Sequence, residues 1–180
     1  VSERAQAPLA KDMFVFSVFA GGLRFSDVIE LKWKHFNKKD QRISKKICKT
    51  GNAHSFKIGT TAIDIIEKYR TKDAKSEDTI FPFGEITERY WNDREYRAVH
   101  IARKTALMSQ YLNTMGKAIE LPFNLTFHLS RHTFATRALN KGMRIEHVSK
   151  LMDHSDIGIT QIYAKIINSE LDKAVDKYID

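Results

Sequence analysis

Cysteine is almost missing from this sequence: Cys48 is the only one in 180 residues. That excludes an internal disulfide framework and points to a reducing compartment. A long hydrophobic run is missing too. The most apolar stretch, Met13 to Leu23, is too short to span a bilayer and follows Lys11 and Asp12. There is no signal peptide pattern, so a cytoplasmic protein with no membrane contact is expected. Internal repeats, low-complexity segments and a convincing linker are also missing, and residues 1–180 are therefore read as one domain. Val1 stands where an initiator Met would be, so a fragment of a longer protein is expected.

What the sequence does have is positive charge. Thirty Lys and Arg face 22 Asp and Glu, a net charge of +8. With 42% hydrophobic and 29% charged residues, the chain reads as globular and long enough to bury a core. An excess of this size points to a polyanionic partner, of which nucleic acid is the commonest, although a merely soluble basic protein shares the composition.

The pattern predicts an α+β domain, mostly helical, with one small antiparallel sheet. Pro8 to Ala20 reads as a helix that Gly21-Gly22 stops. Ser26 is an N-cap candidate, with Asp27 in the first turn of a helix running toward Trp33. Arg24 is thereby held between a glycine break and a helix start. Asn37 to Asp40 reads as a turn, and Ile43–Cys48 and His54–Ile58 as strands of a three-stranded sheet with Lys49 at or near a hairpin tip. Thr61 to Asp64 resembles a capping box opening a helix to about Tyr69. After a polar loop, Lys72 to Asp78, the rest is helical. One or two helices cover Arg94–Glu120. Another runs from a Thr126 cap to about Lys141, with Gly142 as its C′ residue. The next is Ile145–Met152, and Ser155 or Asp156 caps a helix through Ile167. An amphipathic tail, Leu171–Ile179, follows.

Several residues suggest chemistry. His128 and Arg131 are three apart and share a helix face, with Phe127, Phe134 and Ala138 on an apolar stripe beside it. Such a face suits phosphate, because guanidinium forks onto phosphate oxygens. A solvated helix face has the same spacing. His128 and His132 are four apart, as a metal pair would be, but no carboxylate or cysteine completes a familiar ligand set. Ile159, Ile162 and Ile166 form an apolar stripe, and Tyr163 lies beside it, near the polar edge. Alone, such a tyrosine reads as a core-edge residue, Lys49 as a lysine in a turn, and Arg24 as an unremarkable cation.

Taken together these segments resemble the tyrosine recombinase family. Phe19-Ala-Gly-Gly-Leu-Arg-Phe-Ser-Asp-Val-Ile-Glu-Leu-Lys-Trp33 resembles the first-arginine box, with its arginine on Arg24. Thr126-Phe-His-Leu-Ser-Arg-His-Thr-Phe-Ala-Thr136 resembles the His-x-x-Arg box, on His128 and Arg131. Val148-Ser-Lys-Leu-Met-Asp-His-Ser-Asp-Ile-Gly-Ile-Thr-Gln-Ile-Tyr-Ala-Lys165 resembles the last box, with the late histidine on His154 and the nucleophile on Tyr163. Lys49-Thr-Gly resembles the hairpin lysine that the family uses as a general acid, with Lys45, Lys46 and Lys57 close by. All six positions stand in family order across nearly the whole chain. One departure is plain: the family usually has Gly before the late histidine, and here it is Asp153. An acid there either repels DNA or orients His154.

The resemblance implies the tyrosine recombinase catalytic fold and a DNA strand transferase that needs no metal and no cofactor. Arg24 and Arg131 would hold the non-bridging phosphate oxygens. His128 would accept the proton of Tyr163, His154 would hydrogen-bond the phosphate, and Lys49 would protonate the leaving 5′-oxygen. The product would be a 3′-phosphotyrosine. The partners implied are double-stranded DNA and further copies of the chain on that DNA, in a tetrameric synapse. Lys45, Lys46, Arg103 and Lys104 are expected on the DNA backbone, and the tail after Ile166 on a neighbouring subunit. The source expected is a bacterial mobile element. The family's separate N-terminal DNA-clamping domain is not recognised in this stretch. Two other readings stand beside this one: a type IB topoisomerase with the same residue set, and a non-cutting DNA-binding protein of the same fold, for which Asp153 speaks.

Overall fold

The structure is a computed structural model, and it describes residues 3–84 and 86–163. The elements are α1 (Glu3–Phe19), α2 (Phe25–Ile29), β1 (Phe36–Asn37), β2 (Arg42–Lys46), β3 (Ala53–Lys57), α3 (Thr60–Glu67), α4 (Glu88–Asn92), α5 (Arg94–Ala118), α6 (His128–Asn140) and α7 (Ile145–Leu151). A helical segment over 158–163 follows α7. The mostly helical class with a three-stranded antiparallel sheet is therefore as expected, in the order β1-β2-β3.

Helix α1 is the centre of the domain and meets α3, α5 and α6. Leu9, Ala10, Met13 and Phe16, at helical spacing, are buried, and Phe16 stacks on Phe81 at 5.1 Å. The helix starts earlier than the sequence suggested, so Pro8 lies inside it. Proline already has a helical φ and forfeits only one backbone bond there. The stop is as expected. Gly21 and Gly22 take φ of +69° and +65°, and a Cβ on Gly22 would lie 3.0 Å from the Phe134 ring.

Three expected caps are not used. The N-cap of α2 is Arg24, with Ser26 inside the helix, and the helix ends at Ile29 because Leu31 must enter the core. The N-cap of α3 is Gly59, so Thr61 forms no capping box. The N-cap of α6 is Phe127 rather than Thr126, although the Thr126 carbonyl accepts from Leu129 in the first turn. At the other end of α6, Gly142 is the expected C′ residue, at φ +82°, with its N–H on Leu139 and that of Met143 on Ala138.

In the sheet, Ile43 pairs with Phe56 and Lys45 with His54. Period-two alternation sends Ile43 and Lys45 to the same inner face of β2. Residues 48–50 turn between the strands, so Lys49 sits at the hairpin tip, where it is exposed.

The last described helix corrects the sequence reading. Ile159 is 46% and Ile162 62% exposed, whereas Thr160 and Tyr163, three apart, face inward. The apolar stripe is thus on the outside and the tyrosine inside. Asp156 Oδ1 accepts from the Gly158 N–H at 2.8 Å, as an N-cap does. Ile166, Ile167 and the tail helix over Leu171–Ile179 lie outside the described residues. Among the described residues, no helix is long and apolar enough to cross a membrane.

Candidate active site

Two buried serines align the first and second boxes. The hydroxyls of Ser17 on α1 and Ser130 on α6 lie 2.7 Å apart, and each is also within hydrogen-bond distance of a carbonyl, Leu23 for Ser17 and Phe127 for Ser130, so two protons serve three contacts. Arg24 and Arg131 therefore leave adjacent pieces of backbone toward one groove. A cavity of about 330 Å³ opens there, lined by Arg24, Ser26, Thr126, His128 and Arg131 on one side and by Ile101, Thr105 and Ser109 of α5 on the other.

Arg131 is only 3% exposed, so the solvated-face reading of its helix does not hold. Its guanidinium donates to the carbonyl of Gly22 and, at 2.7 Å, to that of Met152. The same Nη2 lies 3.3 Å from His154 Nε2, and His154 Nδ1 lies 2.9 Å from the Thr160 hydroxyl. The consistent assignment has Nδ1–H donating to Thr160 and Nε2 accepting from Arg131, which is a neutral imidazole. Burial, then the charges of Arg131 and Arg24, hold His154 down at about 4. Burial, opposed by nearby acids, also brings Arg131 down to about 10, with Arg24 acting in the same direction.

His128 opens α6 and is exposed. Burial of its ring atoms and the charges of His132, Arg131 and Arg24 lower its pKa. His132 stands between His128 and Tyr163: its ring is edge-on to the first at 4.6 Å and to the second at 5.3 Å. Tyr163 is 6% exposed and packs with Ala135, Ala138, Val148 and Met152 in a second small core between α6 and α7. Burial raises its phenol pKa, and the positive charge of Arg131 works against that rise.

Lys49 borders a second hollow with Ser26, Cys48, Arg94, Arg97 and Ile101. Ser26 and Ile101 are common to both hollows, so the groove runs on from the arginines to the hairpin tip. Lys45 does not join it. Its Nζ is buried and bonds Asp27 Oδ1 at 2.9 Å, which corrects the expectation that Lys45 contacts DNA. Asp27 Oδ1 also accepts from the Cys48 N–H at 2.8 Å. Glu30 takes the Cys48 thiol at 2.8 Å and Arg97 Nε at 2.8 Å. These buried acids fix the base of the hairpin. Burial pushes the Cys48 thiol well up, out of the reactive range.

Asp153 has φ +50° at the end of α7, a left-handed conformation that glycine takes freely and that Asp tolerates. Its carbonyl accepts from Arg24 Nη2 at 3.2 Å, and its carboxylate lies 3.6 Å from Arg24 Nη1. The carboxylate also takes the Thr50 hydroxyl at 2.7 Å and the Asn52 amide at 2.9 Å. Sequence reasoning missed Asp27, His132 and Thr160 as parts of this centre. The alternation of β2 signalled the first, because an inward Lys45 needs a buried acid. The i, i+4 spacing from His128 signalled the second.

The groove thus gathers Arg24, His128 and Arg131, with His154 behind Arg131, Tyr163 behind His132, and Lys49 along its continuation. The phage integrase family matches residues 2–170. Tyrosine recombinase XerA of Pyrococcus horikoshii is 27% identical over 169 residues, covering 94% of this chain and 55% of the relative. Tyrosine recombinase XerC of Xanthomonas axonopodis is 29% identical over 176 residues, covering 94% and 52%. The chain spans about half the length of the curated relatives it matches. The crystal structure of XerA recombinase shares the fold at a TM-score of 0.64 and 18% identity, over 99% of this chain and 64% of that one. XerH recombinase bound to a palindromic difH substrate shares it at 0.63 and 17%, over 100% and 48%. On sequence and fold together, the chain belongs to the phage integrase family of tyrosine recombinases.

Proposed function

We propose that this chain is the catalytic domain of a site-specific DNA recombinase that cuts and rejoins strands through a 3′-phosphotyrosine on Tyr163. The observation that carries the reading is the convergence of Arg24, His128 and Arg131 on one open groove, with His154 against Arg131 and Tyr163 against His132 of the same helix.

A phosphodiester resists attack because its own charge repels an anion. Arg24 and Arg131 face that problem directly: cations beside the groove neutralise the charge growing on the non-bridging oxygens. For attack, Tyr163 leaves its small core behind His132; its Oη then attacks phosphorus and its proton passes to His128. The P–O5′ bond breaks with its electron pair on O5′, and Lys49 supplies the proton there. When phosphate binds, His154 switches tautomer: the Thr160 hydroxyl donates to Nδ1, and the proton now on Nε2 hydrogen-bonds the phosphate. The phosphotyrosine conserves the bond, so a 5′-hydroxyl from another strand reverses the step and exchanges strands. Lys46, Arg103 and Lys104 contact backbone phosphates, which makes binding salt-dependent. Four copies form the synapse.

The test is a nicked duplex that traps the covalent complex, taken from a random-sequence library enriched by the Tyr163→Phe protein. Intact protein in EDTA should give an adduct on a denaturing gel, and Tyr163→Phe should give none. Binding without any adduct would move the non-cutting reading ahead.

A further inference from the structure

We infer that Asp153 is a positioning residue for the general acid: its carboxylate clasps the turn that carries Lys49 and sets that lysine along the groove. The inference rests on the recombinase reading above. Lys49, Thr50, Gly51 and Asn52 are all exposed, and a Cβ on Gly51 would meet nothing within 4 Å. The tip therefore has no apolar packing of its own to define its place. What reaches it from the rest of the domain is Asp153, which bonds the residues on both sides of Gly51: Thr50 at 2.7 Å and Asn52 at 2.9 Å. The carboxylate's charge is balanced by Arg24 at 3.6 Å, and the Asp153 carbonyl holds Arg24 at 3.2 Å. One residue thus ties the phosphate-side arginine to the hairpin tip, two groups separated by 25 positions in sequence, whereas the Asp27 and Glu30 bonds to Cys48 hold the hairpin's base. A glycine at this position would keep the backbone shape and lose the clasp.

The role makes a chemical prediction. Breaking P–O5′ puts an electron pair on a strongly basic oxygen, and the proton must come from Lys49, which is left neutral. If sulfur replaces O5′, the bond breaks to a stable thiolate and needs no proton. A defect in placing Lys49 is therefore felt on the ordinary substrate and absent on the sulfur one.

Adduct formation would be timed on the selected nicked duplex and on the same duplex with a bridging 5′-phosphorothioate, using the full-length protein. Asp153→Gly keeps the left-handed turn, and Thr50→Val with Asn52→Ala removes the donors from the other side. Both should slow the ordinary substrate by about tenfold or more, within the ~10²–10⁴ range of a general acid. Both should return to near the wild-type rate on the sulfur substrate, as Lys49→Ala should. Asp153→Asn, which keeps an acceptor and the backbone shape, should recover part of the ordinary rate. Equal slowing on both substrates, or no slowing by either variant, would overturn the inference. Intact protein that forms no adduct on either substrate would overturn the recombinase reading itself, and the inference with it.

Discussion

The ring of His132 lies edge-on to the ring of Tyr163, 5.3 Å between centroids. It is the side chain that fills the space between the candidate nucleophile and His128. An edge-on aromatic pair contributes about 0.5–1.5 kcal/mol beyond its buried area. His132→Ala should lower both the melting temperature and the rate of adduct formation, and His132→Phe should recover most of each. A His132→Ala protein that cuts at the full rate would show that Tyr163 is held by other contacts.

Arg131 holds two carbonyls at once, those of Gly22 and Met152. Lysine has one ammonium group and no fork, so Arg131→Lys leaves one buried carbonyl without a donor. That costs about 1–3 kcal/mol, read as a shift of the urea midpoint. Loss of the preorganised donor should also slow cleavage by about 10²–10³-fold. A stable, fast Arg131→Lys variant would contradict both expectations.

The Lys45–Asp27 pair is buried at both ends, 3% and 0% exposed in the side chains. Removing one partner leaves a lone interior charge. Asp27→Ala should therefore cost about 3–5 kcal/mol in denaturant unfolding, while Asp27→Leu with Lys45→Met should restore much of the loss. If the single change proves mild, the pair is not what secures the hairpin base.

Acid should weaken the fold through its histidines. His154 is held at about 4 by burial and by the charges of Arg131 and Arg24, and His35 at about 4, chiefly by burial. Between about 4 and the free value of about 6.5, the unfolded chain binds protons that the fold refuses. The sign follows: this stability is complete above about pH 6.5 and drains away as pH falls toward 4. Urea midpoints should drop from pH 7 to pH 5, and His154→Gln should flatten part of the drop. A midpoint constant over that range would refute the assignment.

Much of this was legible in the sequence because it depends on local signals. The Gly21-Gly22 stop, the hairpin around Lys49 and the Gly142 C′ residue are backbone demands that few residues meet. The misread features depend on what lies across the fold. Lys45 reads as a DNA-facing cation until the inward face of β2 meets Asp27. Ile159 and Ile162 read as a buried stripe until the turn after α7 sets which way the last helix faces, and that turn selects Thr160 and Tyr163. The short helix α4 escaped notice because five residues carry too little periodicity to register. Asp153 stood out as a departure, yet only the folded hairpin shows what its carboxylate grips.

Arg131 also has a consequence for the life of the chain. Its two carbonyl partners come from residue 22 and residue 152, near opposite ends of the described polypeptide. The buried cation of the groove is therefore seated on both carbonyls only when the first and last boxes have met. A nascent chain still missing its last box has every earlier charged residue but only one of the two carbonyls that seat Arg131. On the recombinase reading proposed above, cleavage competence should therefore arise only after the last box has docked against the first.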